Sequence, residues 1–224
     1  MIRHCALLLL ASATAACSAL PVVGGGSQGP AAAPRSAPQT RAPVTDQCLR
    51  QLGADGARFT PLPDRYIAPG CSNLGTVQLQ SFASDNAALV ATNLGPVTCG
   101  VSRAFAGWAR FGVDRAAVQL LGSPIRSIET MGSYSCRNVA GTNRKSAHAT
   151  GEAIDIAAFV LENGRRVSVR QDWNGGDPRA REFLRVVRQS ACKRFGTVLS
   201  PDYNAAHHDH LHLEGTGDGS AFCR

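Results

Sequence analysis

The sequence lacks the patterns that mark several common classes of protein. No C-x-x-C pair occurs, which disfavours a cysteine-based zinc cluster. The net charge is +7, yet the basic residues form no run and no nucleic-acid-binding module, so a nucleic acid is not expected as a partner. The apolar run at the N-terminus is too short for a membrane-spanning helix, which needs about 20 apolar residues. Histidine occurs six times in 224 residues.

The N-terminus has the three parts of a secretory signal. A short basic start, an apolar centre and a small-residue end follow one another in "MIRHCALLLLASATAAC". We assign residues 1–17 to this signal and expect export to the periplasm or cell envelope. Cys17 stands where a bacterial lipoprotein is cleaved and acylated, although Thr14 replaces the usual leucine. Two alternatives stay open: membrane attachment through a lipid on Cys17, or ordinary cleavage near Ala16.

The chain after the signal divides by composition into two parts. Residues 18–46 are rich in Pro, Ala, Gly and Ser and predict a disordered tether, because they offer little apolar surface to bury. Residues 47–224 predict one folded domain. Its cysteines are Cys48, Cys71, Cys99, Cys136, Cys192 and Cys223. An even number in an exported domain predicts disulfides, and sequential pairing (48–71, 99–136, 192–223) is the working expectation among the 15 arrangements that exist.

Apolar periodicity separates the predicted helices from the predicted strands. Helices are expected in "CGVSRAFAGWARFG", "VDRAAVQLLG" and "DPRAREFLRVVRQSACKRF". Strands are expected in "TVQLQSF", "IRSIETMGSYSC", "AIDIAAFVL", "RRVSVR", "TVLS" and "HLHLE". Since the two kinds of element are segregated along the chain, we expect an α+β fold with a mostly antiparallel sheet flanked by helices.

The few histidines are concentrated in two short segments. After the signal, all five fall in "SAHATGEAID" and "NAAHHDHLHLE", and they are His148, His207, His208, His210 and His212. In a strand, the spacing of two places His210 and His212 on one face, with Cα atoms about 6–7 Å apart. Two imidazoles at that distance can share a metal, or divide between a metal and a substrate. The alternative is a solvent-facing pair on an edge strand.

Asp155 lies inside the apolar run "AIDIAAF", seven residues after His148. An ionised carboxylate is rarely buried unless it is paired or bound to a metal. Gly151, between the two residues, would let the backbone pass close to an ion. The competing interpretation is that Asp155 caps a backbone group or pairs with one of the many arginines. Together, the two segments supply the imidazoles and the carboxylate typical of a catalytic zinc site with an open water position.

These motifs resemble those of known families. "SAHATGEAID" is similar to the S-x-H-x-x-G-x-A-x-D pattern of the D-Ala-D-Ala metallopeptidases, and "HLH" resembles the H-x-H that completes their site. The same group includes lysostaphin-type endopeptidases and the hedgehog signalling domain. The wider set "SYSCR", "AIDIAAF", "ACKRF" and "HHDHLHLE" resembles the bacterial extensin-like C-terminal domain family over nearly the whole domain. The resemblance implies a disulfide-fastened fold like that of the hedgehog domain and these peptidases.

The resemblance also implies roles for individual residues. His148, Asp155 and His212 would be the zinc ligands, and His210 the non-ligand histidine that assists the attacking water or the oxyanion. Substrate-facing or orienting roles are implied for Ser146 and Arg137, although the setting of Arg137 departs from the family's Y-R-S.

Near the last ligand, the sequence differs from many of these peptidases at the position of their general base. Many members carry a glutamate three residues before the last ligand, where this chain has Asp209. Glu152 and Glu214 are fallback bases, with surface or strand-ladder roles as the alternative. His207 and His208 could line the cleft, but as exposed loop residues they stay unassigned. Trp173 is expected either as a substrate wall or in packing.

Three hypotheses about function follow. The first is an exported zinc metallopeptidase, a D-Ala-D-Ala carboxypeptidase or endopeptidase acting on peptidoglycan stem peptides. The second is a non-catalytic wall-binding or structural lipoprotein that retains the metal site. The third is a closed structural zinc site with His148, Asp155, His210 and His212 as four ligands.

Overall fold

The computed structural model describes residues 43–85, 87–217 and 220–224. The predicted signal at residues 1–17, with Cys17, and positions 18–42 of the predicted tether lie outside the described residues. The helices are α1 Pro43–Ala54, α2 Cys99–Trp108, α3 Arg115–Leu121, α4 Val169–Asp172 and α5 Pro178–Ala191. The strands are β1 Arg58–Pro61, β2 Arg65–Ala68, β3 Cys71–Asn73, β4 Thr76–Ala83, β5 Ala88–Thr92, β6 Val97–Thr98, β7 Ile125–Gly132, β8 Ala153–Leu161, β9 Arg166–Ser168, β10 Thr197–Leu199, β11 Leu211–Glu214 and β12 Phe222–Cys223.

One large sheet organises the domain. Its order is β1-β4-β5-β7-β8-β11-β10-β12, with β6 added to β4 and β9 to β8. Among the described residues its pairs are antiparallel except β5 with β7 and β10 with β12. β2 and β3 form a separate hairpin. The predicted α+β class with a mostly antiparallel sheet is confirmed. β8 lies between β7 and β11, so its residues are held by hydrogen bonds on both sides.

An aromatic core packs the helices against one face of this sheet. Trp108 at the end of α2 is fully buried and contacts Phe105, Phe159 and Phe195, mostly edge to face. Its indole Nε1 donates a hydrogen bond to the Val187 carbonyl of α5 at 2.9 Å. Because the ring is buried and its one polar atom is satisfied, Trp108 ties α2, α5 and β8 together. This packing fixes the strand that carries Asp155.

The helices and long strands match the predicted segments, with differences at their ends. α1 begins at Pro43, so positions 43–46 of the expected tether belong to a helix. The two helices predicted in succession are joined by a π-helical stretch, Ala109–Asp114. The strand predicted in "IRSIETMGSYSC" ends at Gly132, where the chain leaves the sheet. The unpredicted strands are two to five residues long, too short to show alternation.

The cysteines form three disulfides, but the sequential pairing is wrong for four of them. The observed pairs are Cys48–Cys99, Cys71–Cys136 and Cys192–Cys223. Packing of α1 against α2 brings Cys48 beside Cys99, with Cα atoms 6.1 Å apart. Cys71 of the β2–β3 hairpin instead reaches the loop after β7. Pairing follows the tertiary neighbours, which chain order does not specify.

The disulfides bear on where the protein resides. Three disulfides in a single domain are consistent with an extracellular protein, since such bonds persist in oxidising compartments. Within the described ranges, no helix combines the length and apolar character needed to cross a membrane.

Candidate metal centre

His148 is held in a short turn ahead of β8. The 3₁₀ turn Ala147–Thr150 carries it, and the Ser146 hydroxyl accepts a hydrogen bond from the His148 backbone N–H at 3.4 Å. Gly151 ends the turn in the left-handed region, at φ 68°, and a Cβ there would meet the Pro96 carbonyl at 3.1 Å. The glycine therefore serves the turn and a close backbone approach. His148 itself is only 3% exposed.

Asp155 and His212 face each other across two neighbouring strands. β8 and β11 are antiparallel, and their register makes Asp155 the direct partner of His212. Side chains of directly opposite residues lie close together on the same face of a sheet. A shift of one residue in either strand would send one of these side chains to the opposite face. The apolar neighbours of Asp155, Ile154 and Ile156, are fully buried and fix that register.

Three side chains converge on one small region. Asp155 Oδ2 lies 3.1 Å from His148 Nε2, and Asp155 Oδ1 lies 2.8 Å from His212 Nδ1. The two imidazoles approach within 3.3 Å through His148 Nε2 and His212 Nδ1. Among the described residues, these form the group whose ligand atoms all lie within 4.8 Å of one another, as a metal site requires. The structure therefore brings together the three residues predicted as ligands.

The charges within this group depend on one another. Burial raises the pKa of the Asp155 carboxyl, but the hydrogen bonds from His148 and His212 outweigh it and hold the pKa well below the usual range. Burial lowers the pKa of His212, whereas hydrogen bonds to Asp155 and Glu214 raise it to about 9. Without a metal, a proton on His212 stabilises the buried carboxylate. A divalent cation would replace that proton, so the donor set fits a metal ion.

His210 adjoins the group without belonging to it. Its Nδ1 donates a hydrogen bond to Asp209 Oδ1 at 2.9 Å, and its Nε2 lies 3.7 Å from Asp155 Oδ1. The side chain is 12% exposed. Asp209 thus orients the ring so that the second nitrogen faces the ligand group. The closed four-ligand interpretation receives no support, because His210 stands outside the convergent set.

His207 belongs to the same surroundings, where the sequence alone makes it a cleft-lining candidate without a role. Its ring centroid lies 5.1 Å from that of His210 and 5.9 Å from that of His212. His207 Nδ1 donates to Asn204 Oδ1 at 2.7 Å, so Nε2 carries the lone pair. Burial, followed by the nearby charges of His210 and His212, lowers the pKa of His207 to about 4. His207 is therefore a neutral imidazole at pH 7. The density of histidines in this segment pointed to a site, but the short 3₁₀ turn Ala205–His207 shows no periodicity from which the direction of the His207 side chain could be predicted.

The remaining candidate residues lie outside the ligand group. Arg137 is exposed on the loop after β7, and its positive charge contributes to lowering the pKa of His207. His208 is exposed and its ring nitrogen lies 3.6 Å from Asp209. Glu152 is exposed beside Thr150.

Trp173 packs within the domain, so the substrate-wall interpretation is wrong. It is 1% exposed, its Nε1 donates to Asp202 Oδ1 at 2.8 Å, and the Arg185 guanidinium covers its ring. With one face covered and its polar atom paired, this indole has no surface to offer a substrate.

The chain belongs to the family described as extensin-like protein C-terminus. The family profile matches residues 46–224, which is almost the whole folded region. The likeness inferred from "SYSCR" through "HLHLE" is thereby confirmed. No match was found among curated proteins or among solved structures. The fold and site therefore define an extensin-like domain with a buried His–Asp–His group that could bind a metal ion.

Proposed function

We propose that this protein is an exported zinc-dependent peptidase acting on the peptide part of peptidoglycan. The observation that carries the proposal is the pairing of a three-residue ligand group with a separate, oriented histidine. His148, Asp155 and His212 would hold the metal, and His210 remains available beside them. Three protein ligands and an open position distinguish catalytic from structural zinc sites.

The three side chains suit zinc by their chemistry. Two imidazole nitrogens and one carboxylate oxygen are common ligands of catalytic zinc. When bound in such a site, zinc supplies a water whose pKa is lowered to about 7 and polarises a carbonyl group that contacts it. The residues of this chain then have to place the substrate and manage its protons.

His210 is the best-placed residue to manage protons. Because its Nδ1–H is engaged by Asp209, its Nε2 can accept a proton on the side that faces the ligand group. The Asp209 carboxylate would stabilise the resulting imidazolium, as a carboxylate orients histidine in other hydrolytic sites. His210 could later return that proton to a departing amine. The missing glutamate at position 209 is thus compensated by an aspartate–histidine pair.

His207 adds a second neutral imidazole at the same side. Its Nδ1–H is held by Asn204, so its Nε2 is an acceptor at neutral pH. This arrangement supports a role in accepting a hydrogen bond from the substrate, or in relaying a proton with His210. Arg137, on the adjoining loop, supplies positive charge suited to a substrate carboxylate.

Two features support a peptidoglycan substrate: the N-terminal segment that would export the domain, and the resemblance of its motifs to those of wall peptidases. The N-terminal signal and the following Pro- and Ala-rich segment would place the domain in the cell envelope. The S-x-H-x-x-G-x-A-x-D and H-x-H motifs resemble those of peptidases that act on wall peptides. Stem peptides end in carboxylates, which suits the charge of Arg137. A lipid on Cys17 would keep the enzyme at the membrane surface.

The test is to incubate the zinc-loaded protein with purified peptidoglycan and to identify released peptides by mass spectrometry. Wild type should release fragments cut at stem peptides or cross-links. His210→Ala should bind zinc as wild type does and lose cleavage by about 100-fold or more, the range expected for a general acid–base residue. His208→Ala is the matched control, because His208 is exposed and stands outside the ligand group. It should cleave as wild type does.

Two results would contradict the proposal. If wild type binds peptidoglycan and zinc but releases nothing, the chain is a wall-binding protein that retains a metal site. If His210→Ala cleaves at the wild-type rate, proton transfer does not depend on that histidine and the mechanism given above is wrong.

A further inference from the structure

His148 and His212 each have one ring nitrogen inside the ligand group and one outside it. His148 directs Nε2 to Asp155 and places Nδ1 3.0 Å from the Ser133 carbonyl. His212 directs Nδ1 to Asp155 and places Nε2 3.0 Å from Glu214 Oε2. A carbonyl or carboxylate oxygen can only accept, so each outer nitrogen carries the hydrogen. The inner nitrogens are thereby left with their lone pairs for a metal once the site is loaded.

The geometry assigns Glu214 as the positioning residue that fixes the ring orientation and tautomer of His212 for metal binding. Glu214 follows His212 by two residues on β11, so both side chains lie on the same face of the strand. Its backbone pairs with Ala153 on β8, two residues before Asp155. This inference rests on the metal site of the proposed function but not on peptide cleavage.

The same geometry separates Glu214 from a general-base role. Its carboxylate contacts the outer nitrogen of His212, and the imidazole ring stands between it and Asp155. A base would need to reach the region shared by the three ligand atoms. Glu214 therefore acts as a hydrogen-bond acceptor for the outer nitrogen of His212, and an acceptor of this kind raises the basicity of the histidine it holds.

The groups that accept hydrogen bonds from the outer nitrogens of His148 and His212 differ in kind, and this difference makes the assignment testable. Ser133 holds His148 through a backbone carbonyl, which no substitution removes. Glu214 holds His212 through a side chain, and outer partners of this kind are worth about 10–100-fold in metal affinity. The strength of the site can thus be altered at position 214 without touching a ligand.

The experiment measures zinc affinity of the full chain by competition with a chromophoric chelator. Glu214→Ala should lose about 10–100-fold in affinity. Glu214→Gln should recover part of the loss, because its amide oxygen can still accept from Nε2. Glu152→Gln is the matched control on an exposed glutamate and should match wild type. In the cobalt-substituted protein, the visible absorption bands should shift in Glu214→Ala and stay unchanged in Glu152→Gln.

Wild-type affinity in both Glu214 variants would overturn the assignment. If Glu214→Ala does not fold, as judged by circular dichroism, the decision passes to Glu214→Gln, for which unchanged affinity and unchanged cobalt bands overturn it. A Glu214→Gln that keeps wild-type affinity but loses cleavage at saturating zinc would identify Glu214 as the base instead. Absence of peptide cleavage by wild type would refute the proposed function and leave the affinity result standing.

Discussion

Two aspartates of this domain are withdrawn from solvent, and they serve different purposes. Asp114 is 1% exposed in the π-helical stretch, and its Oδ1 accepts a hydrogen bond from the Ile125 backbone N–H at 2.8 Å. The Asp155 side chain is 13% exposed and contacts His148 and His212. Asp114 thus joins a helix to the start of β7, whereas Asp155 joins two imidazoles across β8 and β11.

The comparison shows that burial alone does not identify a functional carboxylate. The more deeply buried aspartate, Asp114, accepts a hydrogen bond from a backbone N–H. The less buried one is surrounded by titratable rings and adjoins His210. What distinguishes the site is the kind of partner, because an imidazole can exchange a proton for a metal ion and a backbone N–H that is hydrogen-bonded within the fold does not.

The largest expected effect concerns Asp155. Asp155→Asn should lower zinc affinity by more than about 100-fold, since it removes the anionic ligand rather than an outer partner. Isothermal titration with zinc gives the measurement. Asp114→Asn is the matched control and should bind zinc as wild type does. Equal affinities in the two variants would remove the distinction between the two aspartates.

The next effect concerns the free energy of unfolding, and here Asp114, the control for zinc binding, is the residue expected to matter. Asp114→Ala should lower the free energy of unfolding by about 1–3 kcal/mol, because the buried Ile125 N–H loses its acceptor. Asp114→Asn keeps an oxygen at that position and should lose less. Urea unfolding monitored by tryptophan fluorescence provides both values. An Asp114→Ala variant as stable as wild type would show that the hydrogen bond contributes nothing net.

The free energy of unfolding of the metal-free protein should depend on pH, because His212 holds a proton beside Asp155. The pKa of His212 is raised from 6.5 to about 9 in the fold, so the folded state holds a proton that the unfolded chain releases between these values. The resulting stability is complete below about pH 6.5 and lost as the pH rises through about 9, by an amount on the order of 1–3 kcal/mol. Unfolding of the chelator-treated protein across that range should show the decline, and His212→Gln should flatten it. If the stability of wild type and of His212→Gln changes with pH in the same way, the proton on His212 is not the cause and the prediction is wrong.

The smallest effect concerns a third aspartate, which contacts a histidine outside the ligand group. Asp209→Asn should leave zinc affinity within about threefold of wild type, because its partly exposed side chain acts on His210 and not on a ligand. The same zinc titration measures it. A larger loss would mean that Asp209 supports the ligand group itself, and the separation between ligands and His210 would need revision.

Much of the fold could be predicted from local pattern, whereas the choice of His212 rather than His210 as a ligand came from the resemblance of the motifs. The buried strand around Asp155 and the helix at 178–191 have clear apolar periodicity. The H-x-H spacing predicts His210 and His212 on one side of a strand, but β11 begins at Leu211, so His210 precedes the strand. The short strands could not be predicted, because pairing with neighbouring strands such as β4, β7 and β10, rather than their own sequence, stabilises them. A role for His207 could not be assigned for a similar reason: its position depends on a 3₁₀ turn held by Asn204.

The sequence by itself determined which chemical groups are available and on which elements they stand. His148 and Asp155 are fixed relative to each other by one turn and one strand, which are local features. Only the tertiary structure decided that Asp155 meets His212, that Glu214 takes the outer nitrogen, and that Cys48 pairs with Cys99. The physical reason is that these contacts span 57 and 51 residues in two of the cases, and sheet register and helix packing, not local periodicity, set such distances.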